Sequence, residues 1–327
     1  MTRLFTDGAE FGDNLFWDAG TNVIASQTQV RSGIYSYRIP QGQFAVKNTS
    51  TLSEFYLRFG IYTSLSSAIN FLIRFYTGTN IIGSLRVNAD SGVLLVYVGS
   101  GGVDTGTNPF LQSAWNLIEI HEIISDVSGL IEVKLNGVDD IYYSGDTKPG
   151  GDTGVGTFQF GGVSQGNFCY VDDIALNDTS GTENTSWCGD GHIELIIPVS
   201  DDSVQWTPLS GSTNYGMVDE IPPDDDTTYV SASSTGYTDI YGLSSFDGTG
   251  KLIKAIYAEG RAKDNDASSG QIKLGFATSG CTVLSNSITL PSTYSSITGS
   301  YTSINPETSG SWTESDINNI KFVIECE

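Results

Sequence analysis

The residues of this chain best placed to do chemistry are acids. Met217–Val230 reads MVDEIPPDDDTTYV, with Asp224, Asp225 and Asp226 directly after Pro222 and Pro223. Proline fixes its own φ and forces the preceding residue extended, so this segment is not helical. Neighbouring side chains of an extended chain point apart, and three consecutive aspartates therefore do not converge on one ion. The stretch reads as a rigid exposed connection into a strand at TTYVSAS, with Asp224, Asp225 and Asp226 solvated or facing a basic partner subunit. Asp172 and Asp173, in YVDDIAL, form the better candidate for calcium, an ion that takes about six to eight oxygen ligands from carboxylates and loop carbonyls. Asp264 and Asp266 lie in KDND, where aspartate makes a turn by bonding its own backbone.

The rest of the catalytic alphabet is thin. His121 and His192 are the 2 histidines, too little material for a histidine-based triad or a histidine-rich zinc site. HExxH and phosphate-loop patterns are absent from the sequence. On the strand WNLIEIHEII, Glu119 and His121 share one face while Glu122 points to the other. Glycoside hydrolysis needs two carboxylates at a set separation, and this strand does not supply them. Cys169, Cys188, Cys281 and Cys326 are far apart with no CxxC pair and read as free thiols, mostly buried. The N-terminal MTRLFTDGAEFGDN has no apolar export core, so the N-x-S/T matches at Asn48, Asn177 and Asn184 read as chance. With 38 acids against 15 bases, the chain carries a net charge of −23. That field opposes phosphate backbones and anionic membranes, which argues against nucleic acid and membrane as partners.

These side chains are set on strands. Residues 55–63, 69–77, 84–89, 93–99, 115–124 and 129–137 are rich in β-branched and aromatic residues, with Gly, Asn, Asp and Ser between them. In the 130s, Leu130, Glu132 and Lys134 alternate with Ile131, Val133 and Leu135, the mark of a sheet with one buried and one wet face. Polar NDTSGTENTSWCGDG, around 177–191, reads as a linker, here placed at 181–190. Strands resume at 192–199, 252–263, 271–278 and 320–326, with one helical turn at 313–319 capped by Thr313 or Ser315. The expected fold is all-β: two tandem β-sandwiches, residues 1–180 and 191–327. No repeat of the kind that builds fibrous shafts is visible.

The order of elements in residues 1–178 resembles the laminin-G-like, concanavalin A-like jelly roll. It is carried by FTDGAEF, GIYSYRIP, the paired FYLRFGIYT and INFLIRFYT, Trp115, the Asn136–Gly137 turn, and FCYVDDIALND returning beside the first strand. Some members are glycoside hydrolases with an E-x-D-x-x-E strand. Here His121 stands where that motif has Asp, and Ile124 where it has Glu. The second half resembles a module of tailed-bacteriophage virion structural proteins, through Gly189–Gly191, QWTP, VDEIPPDDDTTYV, KAIYAEGRAKDND and NPETSGSWTESDINNIKFVIE.

Together the resemblances imply a non-enzymatic virion structural protein on the particle exterior, decorating the capsid or attached to the tail. Its partners would be major capsid or tail proteins and further copies of itself, assembled in the host cytoplasm. No cofactor is implied except a calcium ion at Asp172 and Asp173, common in laminin-G-like domains. Two alternatives stay open. One is a receptor-recognition module that binds host surface glycan through Trp17 and Trp187, the tryptophans with no clear core role. The other, less supported, is a polysaccharide-degrading enzyme.

Overall fold

The computed structural model describes residues 3–20, 22–65, 69–162, 168–266 and 269–327. The chain divides into two units, Met1–Glu194 and Leu195–Glu327, each with a core of its own.

Among the described residues, fifteen strands build the first unit. They begin with β1 (Arg3–Asp7), β2 (Ala19–Gly20), β3 (Ile24–Ser26), β4 (Ser36–Ile39) and β5 (Phe44–Leu52). Next come β6 (Glu54–Thr63), β7 (Ile69–Thr77), β8 (Asn80–Asn88), β9 (Val93–Val98) and β10 (Gly101–Thr105). The set closes with β11 (Trp115–Ile123), β12 (Gly129–Leu135), β13 (Val138–Gly145), β14 (Val155–Gly161) and β15 (Cys169–Asn177). An eight-stranded sheet runs β13-β12-β11-β6-β15-β4-β3, with β1 also on β15, and a seven-stranded sheet runs β10-β9-β8-β7-β14-β5-β2. All pairings are antiparallel. This is a jelly-roll β-sandwich, and its last strand returns beside the first as the sequence order implies.

Alternation explains why these segments fold as they do. In β12 the residues Ile131, Val133 and Leu135 are buried and Leu130, Glu132 and Lys134 are partly exposed, so each inward position removes an apolar side chain from water. Phe55, Phe75 and Phe158 meet edge to face between the sheets, with centroids 5.2–5.7 Å apart. Glu122 breaks the pattern. It lies opposite Phe55 in register and is 1% exposed, and among the described residues its Oε1 has no hydrogen-bond partner.

In the second unit a six-stranded antiparallel sheet combines β16 (Pro198–Ser203), β19 (Thr238–Leu243), β25 (Lys321–Cys326), β21 (Gln271–Ala277), β22 (Thr282–Leu284) and β23 (Ile288–Thr289). Two short ribbons, β17 (Thr207–Pro208) with β18 (Val230–Ser231) and β20 (Glu259–Ala262) with β24 (Ser295–Thr298), complete its strands. Ile297 of β24 joins Ala258, Ile272 and Leu274 in one cluster, which makes the second layer of a small sandwich. The helical turn α1 (Glu314–Ile317) has Thr313 as its N-cap, in a reciprocal capping box with Asp316.

Three expectations shift. The 181–190 stretch is not a free linker, because its end is bound into the first unit and the boundary falls at 194/195. Residues 192–197 form no regular strand, and within 252–263 only Glu259–Ala262 does. Apolar alternation there serves side-chain packing without a continuous backbone partner: Ile196, Ile253 and Ile256 pack on a core cluster, and Ile256 makes an isolated bridge to Thr302.

Candidate functional site

The outer face of the eight-stranded sheet holds Glu119 and His121 of β11. Glu119 pairs with Arg58 in register and His121 with Tyr56. The His121 ring stacks on Tyr56 at 4.0 Å and bonds Glu132 at 2.8 Å and Glu54 at 3.0 Å. Over them lies a strap, residues 186–193. Trp187 meets the Tyr56 and His121 rings edge-on, with the Lys134 ammonium 4.4 Å from its ring centre. Cys188 is buried, and the Gly189 amide donates to Glu119 at 2.7 Å. Glu119 and His121 are consequently only 5% and 7% exposed, so a substrate would have to displace the strap to reach them.

Asp172 and Asp173 anchor the other end of the strap. A bulge in β15 puts Asp173 at φ 51°, a left-handed conformation that aspartate tolerates better than most residues. The Asp173 carboxylate accepts from Arg31 Nη1 (2.6 Å), Ser32 Oγ (2.8 Å) and the Ile193 amide (3.0 Å). Asp172 accepts from the amides of Arg31 and Ser32. Arg31 also binds Asp190 and the Gly191 carbonyl. Gly60 makes room for this: a Cβ there would fall 2.4 Å from Arg31 Cδ. These are the two residues expected to hold calcium, and the structure engages both in holding the strap. Both carboxylates are fully buried and their lone pairs already accept protein N–H and O–H groups. Among the described residues, no group of three or more His, Cys, Asp or Glu is arranged to hold a metal. Burial, then the charge of Asp173, pushes Asp172 up, and burial lifts Glu10 to about 7 although it accepts from the Ile34 and Tyr35 amides.

Trp17 does not offer a ring to solvent either. It is 8% exposed and meets Phe16, Tyr37 and Phe160 at 4.9–5.4 Å in the core. Trp187 is partly exposed but committed to the strap. The acidic loop is satisfied within its own unit. Asp225 makes a two-pronged pair with Arg261, Asp226 meets Lys263 and the Tyr294 hydroxyl, and Asp224 accepts from Thr228. The basic groups that meet the loop within this unit come from β20 and the residue after it.

The seven-stranded sheet presents something different on its outer face. Pairing registers set Phe71 opposite Arg86, Arg74 opposite Ser84, Ser84 opposite Tyr97, and Gln159 opposite Arg74. The result is a ladder of alternating rings and guanidinium groups crossing β5, β7, β8 and β9. Arg74 lies 3.8 Å from the Phe44 ring centre and 4.5 Å from that of Phe71; Arg86 lies 4.3 Å from Phe71 and 3.5 Å from Tyr97. All five side chains are partly exposed. Stacking of this kind fixes a guanidinium as a flat plate with its N–H donors at the rim. Arg86 spends one donor on Ser84 Oγ at 3.0 Å, and among the described residues the buried Nε of Arg74 has no partner. Among the described residues neither guanidinium pairs with a carboxylate. Desolvation beside the rings pulls both below the ordinary arginine value. Sequence reasoning missed this site. Its trace was arginine at outward positions of aromatic strands, INFLIRFYT and SLRVNA, in a chain with few bases.

An antiparallel jelly-roll sandwich with one strapped face and one open face is the class that fold and site define. No family model matches the chain, and no curated protein matches it. Among solved structures it is similar to the cellulose-induced protein Cip1, 18% identical, across 57% of this chain and 100% of that one, with a TM-score of 0.42. It is also similar to a carbohydrate esterase from the Shiga toxin-encoding bacteriophage phi24B, 13% identical, across 54% and 98%, at 0.42. Alginate lyase vAL-1 from a Chlorella virus is 9% identical, across 54% and 99%, at 0.38. Likeness at this level says nothing about activity.

Proposed function

We propose that this chain is a non-enzymatic structural protein on the exterior of a tailed-bacteriophage particle, and that its first sandwich binds a surface glycan. The observation that carries the binding role is the ring-and-guanidinium ladder on the open face of the seven-stranded sheet. Aromatic faces accept the C–H faces of sugar rings, and fixed donors between them read hydroxyl groups. Strands hold those groups more rigidly than loops would. The non-enzymatic part is supported by the burial of Glu119 and His121 under Trp187 and Gly189. The particle-exterior part rests on the second unit's resemblance and on the anionic surface.

Binding of the full chain to a panel of bacterial surface polysaccharides tests the first unit's role. Tyr97→Ala should weaken binding at least tenfold, whereas Trp187→Ala, in the strap over the other sheet, should leave it within twofold. Equal loss from both would remove the ladder from the site. Release of new reducing ends or unsaturated sugars by the wild-type chain would overturn the non-enzymatic reading. Quantitative mass spectrometry of purified particles tests the placement: hundreds of copies mean the shell, a handful the tail, and none refutes it.

A further inference from the structure

We infer that the open face of the seven-stranded sheet selects an acidic sugar unit within an otherwise neutral glycan. This rests on the reading of that face as a saccharide platform and adds the chemical class of its ligand. The argument is one of charge left over. The chain has 38 acids and 15 bases, and its buried arginines without a carboxylate, Arg3 and Arg58, donate to Asn177 and to backbone carbonyls. Arg31, Arg261 and Lys263 all have one. Arg74 and Arg86, adjacent on one face, are flanked by Phe44, Phe71, Tyr97, Ser84 and Gln159 instead, and Arg74 also donates to the Tyr76 hydroxyl.

A guanidinium binds a carboxylate through two parallel N–H···O bonds, stronger than its bonds to neutral hydroxyls. The stacked rings hold the plate in place beforehand, so little side-chain freedom is lost on binding. A neutral ligand would leave both cations partly desolvated with no anion near. The net charge of −23 sets the other boundary. A densely charged polymer meets repulsion along its whole length, whereas one isolated acid pays only locally, since charges are screened over about 8 Å at physiological ionic strength. Dense polyuronates and nucleic acids are thereby disfavoured, and a single uronate or similar acid per repeat is favoured.

The test compares each glucuronate-containing bacterial oligosaccharide with its carboxyl-reduced form, in which glucuronate has become glucose and the rest is unchanged. Polygalacturonate, dextran sulfate and single-stranded DNA accompany them. The full-length wild-type chain should bind the acidic member of a pair at least tenfold more tightly than the reduced member, and more tightly per site than the dense polyanions. Arg86→Gln should erase the difference. Arg86→Lys, which keeps charge but loses the fork, should recover only part of it. Pairs bound equally before and after reduction would overturn the acidic class and leave glycan binding standing. Preference for dextran sulfate or DNA would replace it with a general polyanion site. If neither member of any pair bound, the platform reading would fall, and this inference with it. The wild-type comparison decides the matter even if an arginine variant misfolds.

Discussion

Two buried carboxyl groups in the first unit look alike in sequence and behave oppositely. Asp173 is buried with a full set of donors, chief among them Arg31, whose side chain is 11% exposed. Removing one partner of a buried pair leaves an uncompensated charge, which costs about 3–5 kcal/mol. Arg31→Ala should therefore lower the unfolding free energy of the first unit, read from urea curves, by that order and loosen the strap, seen as increased exchange of the Gly189 and Ile193 amides. Unchanged exchange there would show that the strap does not depend on the latch. Glu122 has no such donor, and burial alone pushes it up to about 8 from 4.5. The folded state then holds a proton that the unfolded state gives up above about pH 4.5. Its contribution to stability is full below that value and declines as pH rises to about 8, flattening beyond. Glu122→Gln should remove this slope, and at pH 8 should leave the variant roughly 2–4 kcal/mol more stable relative to wild type than at pH 4.5. Denaturant curves at both pH values decide it; parallel curves would mean Glu122 ionises as readily in the folded state as in the unfolded one and so finds a partner. The alternation of WNLIEIHEII already assigns Glu122 the inward side. What it cannot give is the absence of a partner, which depends on the opposite sheet, where a Cβ added at Gly83 would come only 3.6 Å from Glu122 Oε1.

Strands declare themselves locally, but the groups they bring together do not. Residues 69–77 read as a strand from composition and are one residue for residue. The same segment gives no hint that Arg74 will stack on Phe44, because that contact depends on β14 lying between β7 and β5. Trp17 failed for a related reason: it belongs to no strand, and only closure of the sandwich shows its ring among Phe16, Tyr37 and Phe160. Acids in the second unit make the same point. The conspicuous Asp224–Asp226 run closes onto β20 at the surface, while the inconspicuous Asp239 of β19 is a buried hub. It accepts from the Gln205 and Trp206 amides, from Asn214 Nδ2 and from the Tyr241 hydroxyl, at 2.6–2.8 Å. Asp239→Ala leaves those donors without an acceptor and should cost about 3 kcal/mol or more. Asp225→Ala breaks a partly solvated pair and should cost about 1 kcal/mol or less. Thermal melts of the two variants, side by side, test this ordering. A larger loss from Asp225 would restore the prominent loop to structural importance.

At the scale of the whole chain, stability should come in two parts. No residue of the large cluster around Phe55, Phe59 and Phe158 belongs to the clusters around Leu274 or Trp312. The first core is a two-sheet sandwich filled by aromatic and branched residues. The second divides between two small clusters, with four fully buried members each. Burial of apolar area drives folding, so the first unit should be the more resistant to heat. Calorimetry of the intact chain should then show two transitions, the lower belonging to residues 195–327. Phe158→Ala opens a cavity in the first core and should cost about 3–5 kcal/mol there, moving the upper transition alone. Trp312→Ala removes the ring that packs on Phe276 at 5.4 Å and donates to the Thr302 carbonyl, and should move the lower one alone. A single transition displaced by either substitution would mean that the two units unfold as one cooperative body. Raised salt should lift both transitions, because 23 excess negative charges repel one another in the compact state more than in the extended one. If salt moved only one of them, the repulsion would have to be concentrated in that unit.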